Sequence, residues 1–200
     1  MLILLGFAII FVNGLSWNII SSIVLVSLIS LPILWQNLLE YQKYRILVFL
    51  NPELDTLGKG YQIMQSKIAI GSGGIFGKGF LTGSQSRLDF LPEKHTDFVY
   101  TLISEEMGFV GSMSVLIIYF AINTILIREF LKEGNLTNKI IIFGVSFLIF
   151  LYVVFNIGMV TGLIPVVGAP LPFISNGGTS LITIFIGLGI IQSIRVSRNV

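Results

Sequence analysis

The chain has no cysteine, a single histidine and very few charges. Only 11% of its 200 residues are Asp, Glu, Lys or Arg, against about 25% in a typical soluble domain. Hydrophobic residues make up 54%, and the mean hydropathy is +0.92. The missing cysteines exclude disulfides and thiolate metal sites. One histidine, with no second and no cysteine, argues against a zinc site. A net charge of +2 is too small to suggest nucleic-acid binding. The opening "MLILLGFAIIF" lacks a basic region and a small-residue cleavage site, so it does not read as a signal peptide. The composition is that of an integral membrane protein, all-α, a polytopic helical bundle.

Hydropathy predicts four full spans, 18–38, 98–127, 139–162 and 176–195. Residues 1–12 form a partial helix of about 18 Å, shorter than the roughly 30 Å hydrocarbon core. The segment 39–97 is a long loop holding most of the charge. Arg128, Lys132 and Lys139 sit in one short connection and Arg195 and Arg198 in the tail, which places both in the cytoplasm. The uncharged "IPVVGAPLPFISNGG" and the long loop then lie outside. Within that loop, Tyr61, Met64 and Ile68 recur at helical spacing. They predict a short amphipathic helix, either lying on the outer leaflet or packed on the bundle.

Three polar sites stand out. "GSGGIFGKG" (71–79) has five glycines in nine residues. It fails the P-loop pattern, with Ser at 72 and Gly at 79. It reads as a flexible turn, with Lys78 as a weaker candidate for a phosphate contact. "KHTDF" puts His95, Thr96 and Asp97 at the outer end of a span. Thr and Asp suit helix capping there, which does not exclude chemistry. Along a continuous helix, Asp97, Thr101, Ser104, Gly108 and Gly111 fall within roughly 40° of one line. Such a stripe suits close helix approach or a wet groove. Glu105 and Glu106 lie roughly 12 Å deeper than Asp97 on that geometry. Intramembrane carboxylates are costly and are usually functional or paired. The third site, "NIGMVTGLIPVVGAPLPFISNGGTS" (156–180), cannot continue a helix through its prolines. Broken backbone at membrane depth is tolerated only when buried in protein or lining a cavity. Asn156, Ser175, Gly177 and Gly178 are its supporting candidates. No nucleophile–base triad is visible.

The run from "NPELDTLGKGYQ" through "GSQSRLDFLPEKHTDF" to "ISEEMGFVGS" closely resembles the RodA branch of the SEDS family (shape, elongation, division and sporulation). "LPE-HTDF" and "GSGG" are shared with the FtsW branch. "NIGMVTGLIPVVGAPLPFISNGGTS" is similar to the family signature. Ala169 and Asn176 depart from it. The resemblance covers nearly the whole chain, and implies the C-terminal half of a roughly ten-helix fold. It implies a peptidoglycan glycosyltransferase of cell elongation and rod-shape maintenance, polymerising lipid II at the extracytoplasmic face of the bacterial cytoplasmic membrane. It also implies a class B penicillin-binding protein, a transpeptidase, as partner. The family's essential aspartate maps onto Asp97.

That chemistry suits the residues. The leaving group is a lipid pyrophosphate, which needs neutralising charge rather than a proton. One carboxylate then suffices, unlike the pair of most glycosidases. Asp97 would take the proton of the attacking hydroxyl, or hold a divalent cation, Mg or Mn, on the pyrophosphate. Lys67, Lys78, Arg87 and Lys94 would steer the anionic substrate, with His95 and Thr96 beside them. Thr101, Ser104, Glu105 and Glu106 would support the site. Two alternatives from other classes are a flippase for a lipid-linked precursor and an inactive fragment. A flippase needs a polar path across the whole bilayer. The inner half of the Asp97 helix, "SVLIIYFAINTILI", is mostly apolar.

The orientation is directly testable. A cysteine near Ser84 should label from outside the cell, and one near Gly134 should not. Labelling at Gly134 alone would reverse the topology and move Asp97 to the cytoplasmic side.

Overall fold

The computed structural model describes all residues except 13, 15, 56–57, 84–95 and 199–200. The described residues form helices α1 (Leu2–Val12), α2 (Trp17–Asn37), α3 (Glu40–Leu50), α4 (Lys59–Ser72), α5 (Val99–Lys132), α6 (Leu136–Val160) and α7 (Gly178–Arg198). A single 3-10 turn, Pro52–Leu54, joins α3 to α4, and no strand occurs among the described residues. Four helices, α2, α5, α6 and α7, are long and apolar enough to cross a membrane. The long loop therefore holds two helices, α3 and α4, besides the stretch that is not described.

The core lies where α6 packs between α5 and α7. Ile142, Ile149, Met159, Val160 and Ile184 are all but inaccessible there. Gly187 of α7 lets that helix close onto α6, since a Cβ there would lie 2.8 Å from Val145 Cγ2. One polar bond crosses the α5–α6 interface, Ser146 Oγ to Asn123 Oδ1 at 3.0 Å. No residue of α2 is buried, so its apolar faces are open. At the basic end, Arg198 grips Glu129 at 2.6 Å. Glu133 turns the chain between α5 and α6 by accepting the backbone N–H groups of Gly134 and Asn135, each at 3.1 Å. The Asn135 amide, with Asn138 and Arg198 behind it, holds the Glu133 carboxyl below the usual carboxylate range.

α4 packs on the bundle. Its inward face is Gly60, Ile63, Ser66 and Ala69. Met64 and Ile68, expected on the apolar face, are 38% and 51% exposed. Small residues win the inward positions because α4 approaches the backbone of its neighbours. Ser66 Oγ donates to Val160 O of α6 at 2.8 Å and lies 2.6 Å from Thr101 Oγ1 of α5.

The largest departure from the expected spans is in α5. It runs to Lys132, and it is not continuous. Gly108 adopts φ +65° and ψ −158°, which breaks the helix into residues 99–107 and 109–132. The Gly-rich stretch expected as a flexible turn fills the break. Lys78 and Gly79 amides donate to the carbonyls of Glu105 and Glu106, both at 3.0 Å. The amides of Phe109 and Val110 donate to Gly74 and Ile75 carbonyls at 2.9 and 3.1 Å. These four bonds replace those the helix loses at the break. Gly108 and Gly111 therefore do not continue the Asp97 stripe, whereas Glu105 and Glu106 stay on the same helical part, residues 99–107, that follows Asp97. Residues 109–132 alone extend about 36 Å, enough for a bilayer core of roughly 30 Å. The two glutamates precede that stretch, in residues 99–107.

Gly108→Ala should be strongly destabilising. Alanine is disfavoured at that φ, and its Cβ would run into the Ile75 carbonyl and the Gly77 amide. We expect a loss of about 1–3 kcal/mol from the strained dihedral alone, read as a lowered thermal midpoint in detergent. Gly134→Ala, where a Cβ meets nothing within 4 Å, should leave that midpoint unchanged.

Candidate functional site

Asp97 precedes α5 by two residues and is partly buried. Phe98, 1% exposed, wedges the start of the helix into the core. It also takes the N-cap position, which neither Thr96 nor Asp97 occupies.

The backbone around Asp97 is held from α6. Asn156, fully buried, donates from Nδ2 to Asp97 O at 2.9 Å and to Ala169 O at 2.7 Å. One amide thereby joins the turn at Asp97 to the loop 164–177. Asn156 Oδ1 is buried without a hydrogen-bond partner. The loop then crosses the carboxylate. Gly168 has φ +68°, and a Cβ there would lie 3.2 Å from Asp97 Oδ2. A side chain at 168 would crowd the carboxylate and strain the turn.

The rest of that loop is pinned in the same manner. The Tyr119 hydroxyl of α5 donates to the Pro172 carbonyl. The Leu171 amide donates to Ser175 Oγ at 2.8 Å, and the Gly177 amide to Ser175 O at 2.8 Å. A Cβ on Gly177 would meet Pro170 at 3.0 Å and Ser180 Oγ at 2.6 Å. Gly178 simply opens α7. Below Asp97, Thr101 is fully buried and bonded to Ser66. Ser104 donates to Tyr100 O and receives Ser112, each at 2.7 Å. The upper part of the polar stripe is thus a close-packing seam between α4, α5 and α6.

The cations divide. Lys78 Nζ lies 2.8 Å from Glu105 Oε1, with the lysine side chain 28% and the glutamate 1% exposed. Its charge is committed to a buried carboxylate. Glu106 is buried beside it, and its carbonyl holds the Gly79 amide. Lys67, exposed on α4, lays its ammonium end against Gly162 at the end of α6. Arg87, Lys94 and His95 lie outside the described residues. Two cations escaped sequence reading. Arg45 of α3 and Lys59 of α4 rim a cavity of about 230 Å³ with Tyr41, Tyr44 and Asp55 around it. Val48 and Ile63 floor it, and Pro165 and Val166 form one wall. That wall continues into Gly168, so the cavity and the Asp97 carboxylate share one loop. No spacing signal links residues 45, 59 and 166; only the fold brings them together.

A profile of the FtsW/RodA/SpoVE family, described as cell cycle proteins, matches residues 1–200. The chain belongs to the FtsW/RodA/SpoVE family. It is 44% identical over 195 residues to the peptidoglycan glycosyltransferase MrdB of Escherichia coli K12, covering 97% of this chain and 53% of that one. It is 45% identical over 160 residues to the peptidoglycan glycosyltransferase RodA of Treponema pallidum, covering 79% and 36%. Stage V sporulation protein E of Bacillus subtilis matches at 42% over 159 residues, covering 79% and 43%. Among solved structures, a chain from work on the coordination of polymerization and crosslinking by a peptidoglycan synthase complex superimposes with a TM-score of 0.78. It is 31% identical and covers 96% of this chain and 52% of that one. The chain thus spans about half the length of the FtsW/RodA/SpoVE relatives it matches. Family membership and the four apolar helices make it a multi-pass membrane protein.

The Lys78–Glu105 pair gives a test that separates support from substrate steering. Lys78→Met should take the lysine partner from the buried Glu105 carboxylate and lower stability by up to about 3–5 kcal/mol, less the share that the partly exposed lysine leaves to water. Adding Glu105→Met should restore most of the loss. Denaturation midpoints of the two variants check this; equal losses in both would dissolve the pair.

Proposed function

We propose that this chain carries the catalytic aspartate of a peptidoglycan glycosyltransferase that polymerises lipid II during cell elongation. The reaction runs at the extracytoplasmic face of the bacterial cytoplasmic membrane, beside a class B penicillin-binding protein that crosslinks the product. The observation that carries this reading is the setting of Asp97. It is a partly buried carboxylate just ahead of a membrane-crossing helix, its backbone tied to Asn156 and its Oδ2 roofed by Gly168.

In this reading the acceptor hydroxyl attacks the anomeric carbon of the lipid-linked donor. Its proton passes to the Asp97 carboxylate. The bond to the pyrophosphate breaks, and the lipid pyrophosphate departs with the electron pair. Asn156 and Gly168 keep the carboxylate in one place, so little orientational freedom is lost on reaction. Arg45 and Lys59, across the Pro165–Gly168 wall, offer positive charge to an anionic substrate, together with Lys67.

The described residues hold no group of three or more His, Cys, Asp or Glu side chains that would cage a metal. The donor set is one carboxylate. Magnesium commonly binds through one or two carboxylates plus substrate phosphates and water, so Asp97 fits a Mg or Mn ion that arrives on the pyrophosphate. When bound, such an ion would supply charge neutralisation to the leaving group.

The test uses this chain assembled with the segments that its relatives carry in addition, and with the transpeptidase. Asp97→Asn should abolish polymerisation of lipid II while membrane insertion and partner binding persist. Glu106→Gln should lower thermal stability more than activity. Near-normal polymer from Asp97→Asn would remove the aspartate from the chemistry.

A further inference from the structure

The chain 73–82 is held rigidly yet shows its largest side chains to the outside. Its backbone is fastened to the break in α5 by four hydrogen bonds, through Gly74, Ile75, Lys78 and Gly79. It folds back on itself where Thr82 Oγ1 donates to the carbonyls of Lys78 and Gly79, at 2.6 and 2.7 Å. The one charge in this stretch points inward, to Glu105. Outward stand Ile75, Phe76, Phe80 and Leu81, exposed by 63%, 82%, 80% and 68%. Two phenylalanines so exposed on an ordered loop would be a liability in water.

The height of the loop decides what covers them. Gly74 and Ile75 are bonded to Phe109 and Val110, the first residues of the membrane-crossing part of α5. Those two are 60% and 49% exposed, and Met107 is 56% exposed. With Lys132 at the basic end, residues 109–132 extend about 36 Å, so Phe109 lies at the outer edge of a roughly 30 Å hydrocarbon core. The tips of the loop therefore continue the exposed apolar surface of α5 instead of beginning a new one.

We infer that the loop 74–82 is a membrane anchor, with Phe76 and Phe80 inserted at the boundary between headgroups and acyl chains of the outer leaflet. The occupant is lipid. With Lys78 turned in to Glu105, insertion rests on the apolar area buried, the quantity with which interfacial binding scales. Because the loop carries the carbonyl partners of Phe109 and Val110 and receives those of Glu105 and Glu106, its depth sets the height of residues 99–107. Asp97 then stands a fixed distance above the leaflet from which a lipid-linked molecule would be presented.

The absence of cysteine makes single labels clean. Nitroxides at Phe76→Cys and Phe80→Cys, in the full chain reconstituted into phosphatidylethanolamine–phosphatidylglycerol vesicles, are read by power saturation with oxygen and with a water-soluble nickel chelate. Labels at Glu53→Cys, exposed outside the spans, and Ile117→Cys, 60% exposed within α5, give the water and lipid references. Lipid insertion predicts oxygen collision near that of Ile117 and nickel collision several-fold below that of Glu53. Nickel collision equal to that of Glu53 places the loop in water and overturns the anchor. Exclusion of both probes means protein covers the tips, and overturns it equally. An independent reading comes from Phe76→Trp in a Trp17→Phe, Trp35→Phe background. Brominated acyl chains should quench that tryptophan; unquenched emission also overturns the proposal. Neither reading depends on catalysis, so the anchor stands or falls apart from the role of Asp97.

Discussion

A helix broken in or beside a membrane must find new partners for the backbone groups it frees. At Gly108 those groups are the carbonyls of Glu105 and Glu106 and the amides of Phe109 and Val110, and the glycine-rich loop supplies every partner. Unpaired, such groups would cost several kcal/mol each in hydrocarbon. This end of the molecule is arranged around the exchange. Glycine is needed at 73, 77 and 108 because two backbones come into direct contact. Glu105 can be buried because the loop delivers Lys78 to it. Residues 99–107 become a separate short helix, free to lean on α4 through the Ser66–Thr101 contact.

Asn156 performs a similar service one layer away. Two loops that lack regular structure, the turn at Asp97 and the segment around Ala169, each leave a carbonyl in the interior. One buried amide satisfies both. Together with Tyr119 at Pro172 and Ser175 at Leu171, it turns a proline-rich connection into a fixed roof. Side chains hold what the backbone cannot hold for itself, because proline and positive-φ residues remove the ladder.

The apolar spans were legible because twenty consecutive apolar residues have few other solutions. Observed boundaries for α2, α6 and α7 lie within about three residues of the expected ones, and ends fray by that much. The break was not legible. Gly108 sits in "EEMGFVGSM", which reads as a small-residue position in a continuous helix, and backbone-to-backbone pairing leaves no mark in side-chain periodicity. α4 misled for a related reason. Met64 and Ile68 face out while Ile63 faces in, since close backbone approach places Gly60, Ser66 and Ala69 beside it on the inward face. Asp97 entered as a candidate through the family motif. The partners of Asn156 are carbonyls, which every residue has, so no sequence reading could choose them. Arg45 and Lys59 were passed over because their only common feature is a cavity formed in space.

Bilayers differ in thickness, and a spanning helix answers by tilting. In a continuous helix, a tilt is passed along the hydrogen-bond ladder to whatever sits on top. The interruption at Gly108 ends that ladder, yet the glycine-rich loop bonds to both parts of α5, Ser112 reaches back to Ser104 and Tyr119 holds the loop beside Asp97 at Pro172. A tilt of residues 109–132 therefore reaches the surroundings of Asp97 through a loop and a few side chains, by a jointed linkage in place of a rigid rod.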